Sequence, residues 1–427
     1  MKQITIFVCA LVLSLTAFSQ DLEKIINEQE VTRIESILAD DAMEGRATFT
    51  PGIEKAAAFI ADEFRKAGLQ PISGNSYMQE FAMVRPDIRD IKASLNGKTI
   101  SEENIIISST KPLINFNLAD GVEKVVIGKD ENFARRAFAL FEQTKPTLVM
   151  VDPAHAGMFA RLKGRKAKEQ MEGYGDVVFV LTDENVNAFS LTASNNITRV
   201  KLANVVGVLP GRSREKEYVI FSGHYDHLGI GRVQNGDSIY NGANDDASGI
   251  AAVILLANYF AKTNDNERTL VFAAFTAEEI GGYGSKYFSL QYNPDQVVAM
   301  FNIEMIGTES KWGRNSAYIT GYEKTDMGKI LEKNLAGTDF KFYPDPYPDQ
   351  QLFYRSDNAT LARLGVPAHT ISTSKMDSEP YYHTSDDEIE TLDMANMTQI
   401  IRAIALSSRS IVAGKDTPSR VDTSSLR

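Results

Sequence analysis

Apolar residues recur at Ile53, Ala56, Ala57, Ile60, Phe64 and Ala67. That is the spacing of a helix with one buried face, and Gly68 stands where such a helix stops. From about 91 to 198 the pattern changes. Short strand-like runs at 124–127, 147–151 and 177–181 alternate there with polar and charged segments. After Ala203 the rhythm becomes strand, loop, helix. Nearly continuous apolar runs at 204–209, 218–222, 270–275, 298–303 and 366–371 read as strands buried on both faces. The segments 247–261, 327–335, 357–364 and 394–412 read as helices, the last with Met394, Met397, Ile401 and Ile404 on one face. This alternation predicts an α/β fold: a mostly parallel, mixed sheet sandwiched by helices. The main domain is then discontinuous, 20–90 with 199–414. Residues 91–198 form an inserted smaller lobe of α+β or β-rich character, and the polar 415–427 a flexible tail.

The first residues read as a targeting leader. Lys2 precedes an apolar run from Ile4 to Leu15, too short for an ordinary membrane span, and Ala17-Phe18-Ser19 has the small-x-small form of a cleavage site. Residues 1–19 are therefore expected to be removed, leaving a secreted or periplasmic protein with no membrane span. The single cysteine, Cys9, lies inside this leader, so disulfides and a cysteine nucleophile are not expected. Any zinc site must then use histidine and carboxylate. Lys plus Arg number 45 against 56 Asp plus Glu, a net charge of -11, and no basic block offsets it. General binding to nucleic acid backbones is thereby disfavoured.

In open α/β sheets, ligands bind beyond the carboxyl ends of the strands. The predicted strand at 218–222 is followed by Gly223-His224-Tyr225-Asp226-His227. A polar loop then leads to Asn241-Gly242-Ala243-Asn244-Asp245-Asp246-Ala247-Ser248-Gly249, which opens a helix. Thr276-Ala277-Glu278-Glu279 follows the strand at 270–275, and Glu304 follows that at 298–303. Tyr381-Tyr382-His383-Thr384-Ser385-Asp386-Asp387 comes after the last strand. Three of the five histidines fall in these segments. Singly, Asp245 and Asp246 could cap a helix and Glu278-Glu279 could be a solvated turn. Glu304 resists that reading, because an unpaired carboxylate ending a buried strand needs a cation or a proton. Jointly the residues fit a two-metal hydrolytic site: His224, Asp245, Glu279, Glu304 and His383 as ligands, and Glu278 as base.

At these residues the chain resembles the M28 family of co-catalytic zinc aminopeptidases. The resemblance covers roughly 34–83 and 201–412, including Glu44-Gly45-Arg46 and the helix after Gly52. It implies two zinc ions per chain bridged by Asp245, one completed by His224 and Glu304, the other by Glu279 and His383. It also implies Glu278 as general base and Asp226 as the carboxylate that orients His224. Tyr382 would stabilise the oxyanion. The family usually carries aspartate where this chain has Glu304, one methylene longer. Some relatives insert a protease-associated domain where 91–198 lies here. The expected reaction is hydrolysis of peptide bonds, releasing N-terminal residues of peptides or proteins. The rivals are another exopeptidase or a glutaminyl-cyclase-like activity on the same scaffold, and a non-catalytic binding module.

Overall fold

The computed structural model describes residues 22–118, 121–141, 143–164, 169–234 and 236–426, so the expected leader and Cys9 lie outside the described residues. Two compact units emerge. One ends its first segment at Glu80 and resumes at Leu202; the other is Phe81–Lys201. The division falls before 90 because Ile88–Leu95 pairs antiparallel with Phe189–Asn195 inside the second unit.

In the first unit, seven strands lie side by side in the order Lys341–Pro344, Ser316–Ile319, Ala368–Ser372, Val297–Ile303, Arg214–His224, Arg268–Phe275 and Thr198–Leu209. The four from Ala368–Ser372 to Arg268–Phe275 run parallel. Antiparallel pairing sets in on either side of them, at Ser316–Ile319 and at Thr198–Leu209. Every residue of Arg268–Phe275 and of Val297–Ile303 is buried, which is why these strands read as unbroken apolar runs. One face packs Ile53, Ile60 and Phe64 of the helix Pro51–Lys66, the helix Ser248–Thr263, and Met397, Ile401 and Ile404 of Met394–Val412 into one core. The other face buries Ile220, Val271 and Met300 against Phe288, Leu361 and Val366. The helix Glu28–Leu38 joins the first core through Val31, Ile34 and Leu38, and Asn27 caps it by accepting from the Glu30 N–H.

The four parallel strands deliver His224, Phe275, Ile303 and Ser372 to one sheet edge, and the loops that follow are braced by buried polar groups. Arg46, wholly buried, donates to the carbonyls of Leu38, Tyr225, Asn241 and Gly242. A single guanidinium thereby ties the N-terminal segment to the loop after His224 and to the turn before Asp245. Its five donors in a planar fork suit four carbonyls from three segments, which no ammonium could match.

The second unit holds two four-stranded sheets. One runs Ile105–Ser108, Val177–Leu181, Thr147–Val151, Glu123–Ile127; the other runs Lys98–Thr99, Ile88–Leu95, Phe189–Asn195, Leu113–Asn117. Helices Phe133–Phe141 and Ala156–Lys163 complete it. His155 stacks on Phe133 and meets the Gly128 carbonyl, and among the described residues it belongs to no cluster that could hold a metal ion. The segment after Lys415, read from its composition as a loose tail, is tied back by Arg268 to the Asp416 carbonyl, by Arg420 to that of Val297, and by Val421 to that of Gly365. No helix of the described residues is long and apolar enough to cross a membrane.

Two predictions follow from this frame. Arg46→Ala leaves four carbonyls without their donor, so unfolding in denaturant should show a loss of about 3 kcal/mol or more. A loss below about 1 kcal/mol would mean that the cage is not needed. His369, 1% exposed, meets the Thr320 carbonyl and the Thr325 hydroxyl, and burial pushes its pKa down to about 4. The unfolded chain protonates it near ~6.5, so its contribution is complete above that pH and is lost as pH falls toward 4. Between pH 7.5 and 5, wild type should lose ~2 kcal/mol more stability than His369→Gln. Identical slopes would count against a neutral buried imidazole.

Candidate metal centre

His224 ends its strand with its N–H donating to Asp246 Oδ2 at 3.1 Å. The other oxygen of Asp246 accepts from Gly249 and Met305, so one carboxylate staples a strand end, a helix start and the loop after Glu304. Gly249 permits this closeness, since a Cβ there would lie 2.1 Å from the Ile303 carbonyl oxygen. Asp387 holds the neighbouring turn by accepting from the N–H groups of Asn244 and Asp245 at 2.8 and 3.1 Å. Three non-glycine residues adopt left-handed backbone at these loops, Ala277, Met305 and His383. Such conformations cost on the order of 1 kcal/mol each and persist where surrounding structure fixes them.

The imidazole of His224 has Nδ1 at 3.1 Å from the Asp226 carbonyl oxygen. A carbonyl only accepts, so Nδ1 carries the hydrogen and, in the neutral ring, Nε2 is left as a lone pair. That lone pair faces Asp245 Oδ1 at 3.2 Å, acceptor against acceptor. The orienting contact thus comes from the main chain of Asp226. Its carboxylate lies 3.8 Å from Nδ1 and instead accepts from the N–H groups of Glu278 and Glu279 at 3.0 and 3.2 Å. Asp226 therefore sets the turn that carries the two glutamates.

The second oxygen of Asp245 faces a different imidazole: His383 Nε2 lies 3.2 Å from it and 3.2 Å from Glu279 Oε2. Tyr382 stacks on His383 with ring centroids 3.9 Å apart. Glu304 is held by the Ser356 hydroxyl, which itself accepts from Asn302 at 2.6 Å, and its Oε2 is buried with no hydrogen-bond partner. The structure thus brings together all five ligand candidates, with Glu278 beside them. It adds His227, which the sequence reading leaves out of the ligand set: its Nδ1 lies 2.9 Å from Glu279 Oε1. The signal for it was a third histidine three residues beyond His224, at the same strand exit.

The charge balance is unusual for a protein interior. Burial, together with Glu304, Asp357 and Glu279, pushes Glu278 far above the ordinary carboxylate range. Glu304 is pushed up to about 7 by burial and by Asp245, and Asp357 to about 6 by burial and Asp226. For His383, burial opposes protonation, but Asp245 and Glu279 outweigh it and raise the pKa to about 10. His224 rises in the same way against its burial, under Asp245, Glu278 and Asp246. Each of these shifts says that positive charge is wanted here. The orphaned buried atoms agree: His224 Nε2, both ring nitrogens of His227, Glu279 Oε1 and Glu304 Oε2 lack hydrogen-bond partners. They fall into two groups that share Asp245, His224–Asp245–Glu304 and His227–Asp245–Glu279, with ligand atoms within 4.8 Å of one another. Imidazole and carboxylate donors in this pattern fit divalent zinc.

A cleft opens on this centre. Asp245, Glu278, Glu304, Tyr382 and His383 line it, together with Met305, Tyr318, Leu352, Met376 and Arg355.

Residues 204–407 match the sequence profile of Peptidase family M28. A probable leucine aminopeptidase of Trichophyton verrucosum is 28% identical over 205 residues, covering 46% of this chain and 54% of that protein. A probable zinc metalloprotease of Pyricularia oryzae is 34% identical over 145 residues, 33% and 28% of the two chains. The alignments thus span about half the length of these curated relatives, or less. Among solved structures, a zinc aminopeptidase from Bacillus subtilis superposes with a TM-score of 0.56 at 16% identity, over 93% of this chain and 98% of that one. An aminopeptidase from Aneurinibacillus sp. strain AM-1 gives 0.54 at 15% identity, over 91% and 95%. At such identities the likeness concerns the fold, the mixed sheet between helix layers. The segment that matches the family M28 profile carries the five candidate ligands and Glu278.

Proposed function

We propose that this protein is a two-zinc exopeptidase that releases N-terminal residues from peptides. The observation that carries the reading is Asp245, a buried carboxylate with a different imidazole at each oxygen. His224 and Glu304 would hold one ion and Glu279 and His383 the other, with Asp245 between them. When bound, the ions would supply Lewis acidity toward the scissile carbonyl and lower the pKa of an attacking water toward ~7.

The chain's own groups account for the proton traffic. Glu278 reaches the cleft from the turn set by Asp226. It takes a proton from the attacking water as oxygen bonds to the carbonyl carbon. It then returns that proton to the amide nitrogen as the C–N bond breaks, leaving a free carboxylate and a free amine. Tyr382 lies in the same cleft, and burial together with Asp245, Glu279 and Glu304 raises its pKa, so the phenol stays protonated. It can therefore donate to the oxyanion that develops on the carbonyl. The carboxylates in the cleft lining, Glu278 and Glu304, suit the free α-amine of a substrate. Arg355 favours a narrower variant of the reading, in which the substrate is short enough for its carboxylate to reach that guanidinium. The leader read at residues 1–19 would place this activity in the periplasm or outside the cell.

A panel of aminoacyl reporters, their N-acetylated counterparts and dipeptides tests the assignment on zinc-loaded protein. Free-amine substrates should be cleaved and blocked ones spared; cleavage of the blocked set would remove the aminopeptidase assignment. Glu278→Gln should keep its metal and lose at least ~10²-fold in turnover. Unchanged turnover would take Glu278 out of the chemistry.

A further inference from the structure

His227 is 2% exposed; its Nε2 has no hydrogen-bond partner, and its Nδ1 meets only carboxylate oxygens, without hydrogen-bond geometry. An imidazole in that state is costly unless something binds it. Its Nδ1 lies 2.9 Å from Glu279 Oε1 and 3.9 Å from Asp245 Oδ2. His383 meets the same two carboxylates from another side, and the two rings are 5.8 Å apart at 70°. Two imidazoles thus converge on the Asp245–Glu279 pair, whereas His224 alone serves the Asp245–Glu304 pair.

We infer that His227 is a metal ligand, the fourth protein donor at the ion position formed by Asp245, Glu279 and His383. The inference rests on the two-zinc reading and deepens it, because it makes the two positions unequal. Zinc held by four protein donors is closed, as in structural sites; zinc held by three keeps a position for substrate or water. By donor number, the His227 position is therefore the tight one, and the His224 position is the exchangeable one.

The test is zinc retention, read by elemental analysis across a ladder of competing chelators. Wild type should lose its two equivalents in separate steps, the second needing at least ~10-fold stronger competition. In His227→Ala the tight equivalent should weaken by at least ~10²-fold while the other is unmoved. Unchanged retention in that variant would overturn the inference. Should the alanine variant not fold, His227→Cys offers a direct signature. The other cysteine, Cys9, lies in the expected leader, so cobalt bound to mature protein should gain a thiolate-to-metal charge-transfer band only if position 227 is a ligand. Cobalt binding without that band would overturn it as well. Wild type that retains no zinc at all would instead remove the enzymatic reading on which the inference stands.

Discussion

The structure depends on one electrostatic problem, a crowd of carboxylates buried at the carboxyl edge of a parallel sheet. Asp226, Asp245, Asp246, Glu278, Glu279, Glu304 and Asp357 meet there with three imidazoles. Charges of one sign cannot share a desolvated space without protons or cations between them. Some of these acids are relieved by main-chain N–H groups, as Asp226 and Asp246 are. Those around Asp245 are not; they face histidine ring nitrogens, which need a proton or a cation between them and the carboxylates. A pocket so arranged is disfavoured as a resting interior and well suited to divalent ions.

The rest of the first unit can be understood as what holds that crowd in place. Strands buried along their whole length fix the four exits to one edge. Arg46 ties the N-terminal segment to the two loops that carry His224 and Asp245. Asp246 and Asp387 then fix the main chain of the turns that carry the site residues. The precision comes from buried polar groups, each satisfied by several segments at once, and the apolar core supplies the stability that tolerates them.

Much of this was legible beforehand. Continuous apolar runs located the central strands, and helical spacing located the helices 248–263 and 394–412, because burial on all sides leaves a strong pattern. The short strands Ser316–Ile319 and Lys341–Pro344 are not legible in the sequence: four residues carry no period, and they become strands by pairing with one another across a helix and, for the first, with Ala368–Ser372. The helix Glu28–Leu38 had its signal in Asn27, Val31, Ile34 and Leu38 and went unread. At the site, strand exits named the five ligand candidates and Glu278. Which atom of Asp226 would meet His224 was beyond reach, since carbonyl and carboxylate of one residue look alike in a sequence. His227 was hidden for a similar reason. Its direction depends on the path of a loop that Arg46 shapes from some 180 residues away, through a hydrogen bond to Tyr225 and the main chain of His227.

The central claim is that Asp245 stands between two cations. Crystals of the zinc-loaded protein, measured at the zinc absorption edge, test it most directly. The account predicts two anomalous peaks, one within bonding distance of each Asp245 carboxylate oxygen, flanked by His224 and His383 respectively. A single peak away from Asp245, or none in protein that has been supplied with zinc, would contradict it.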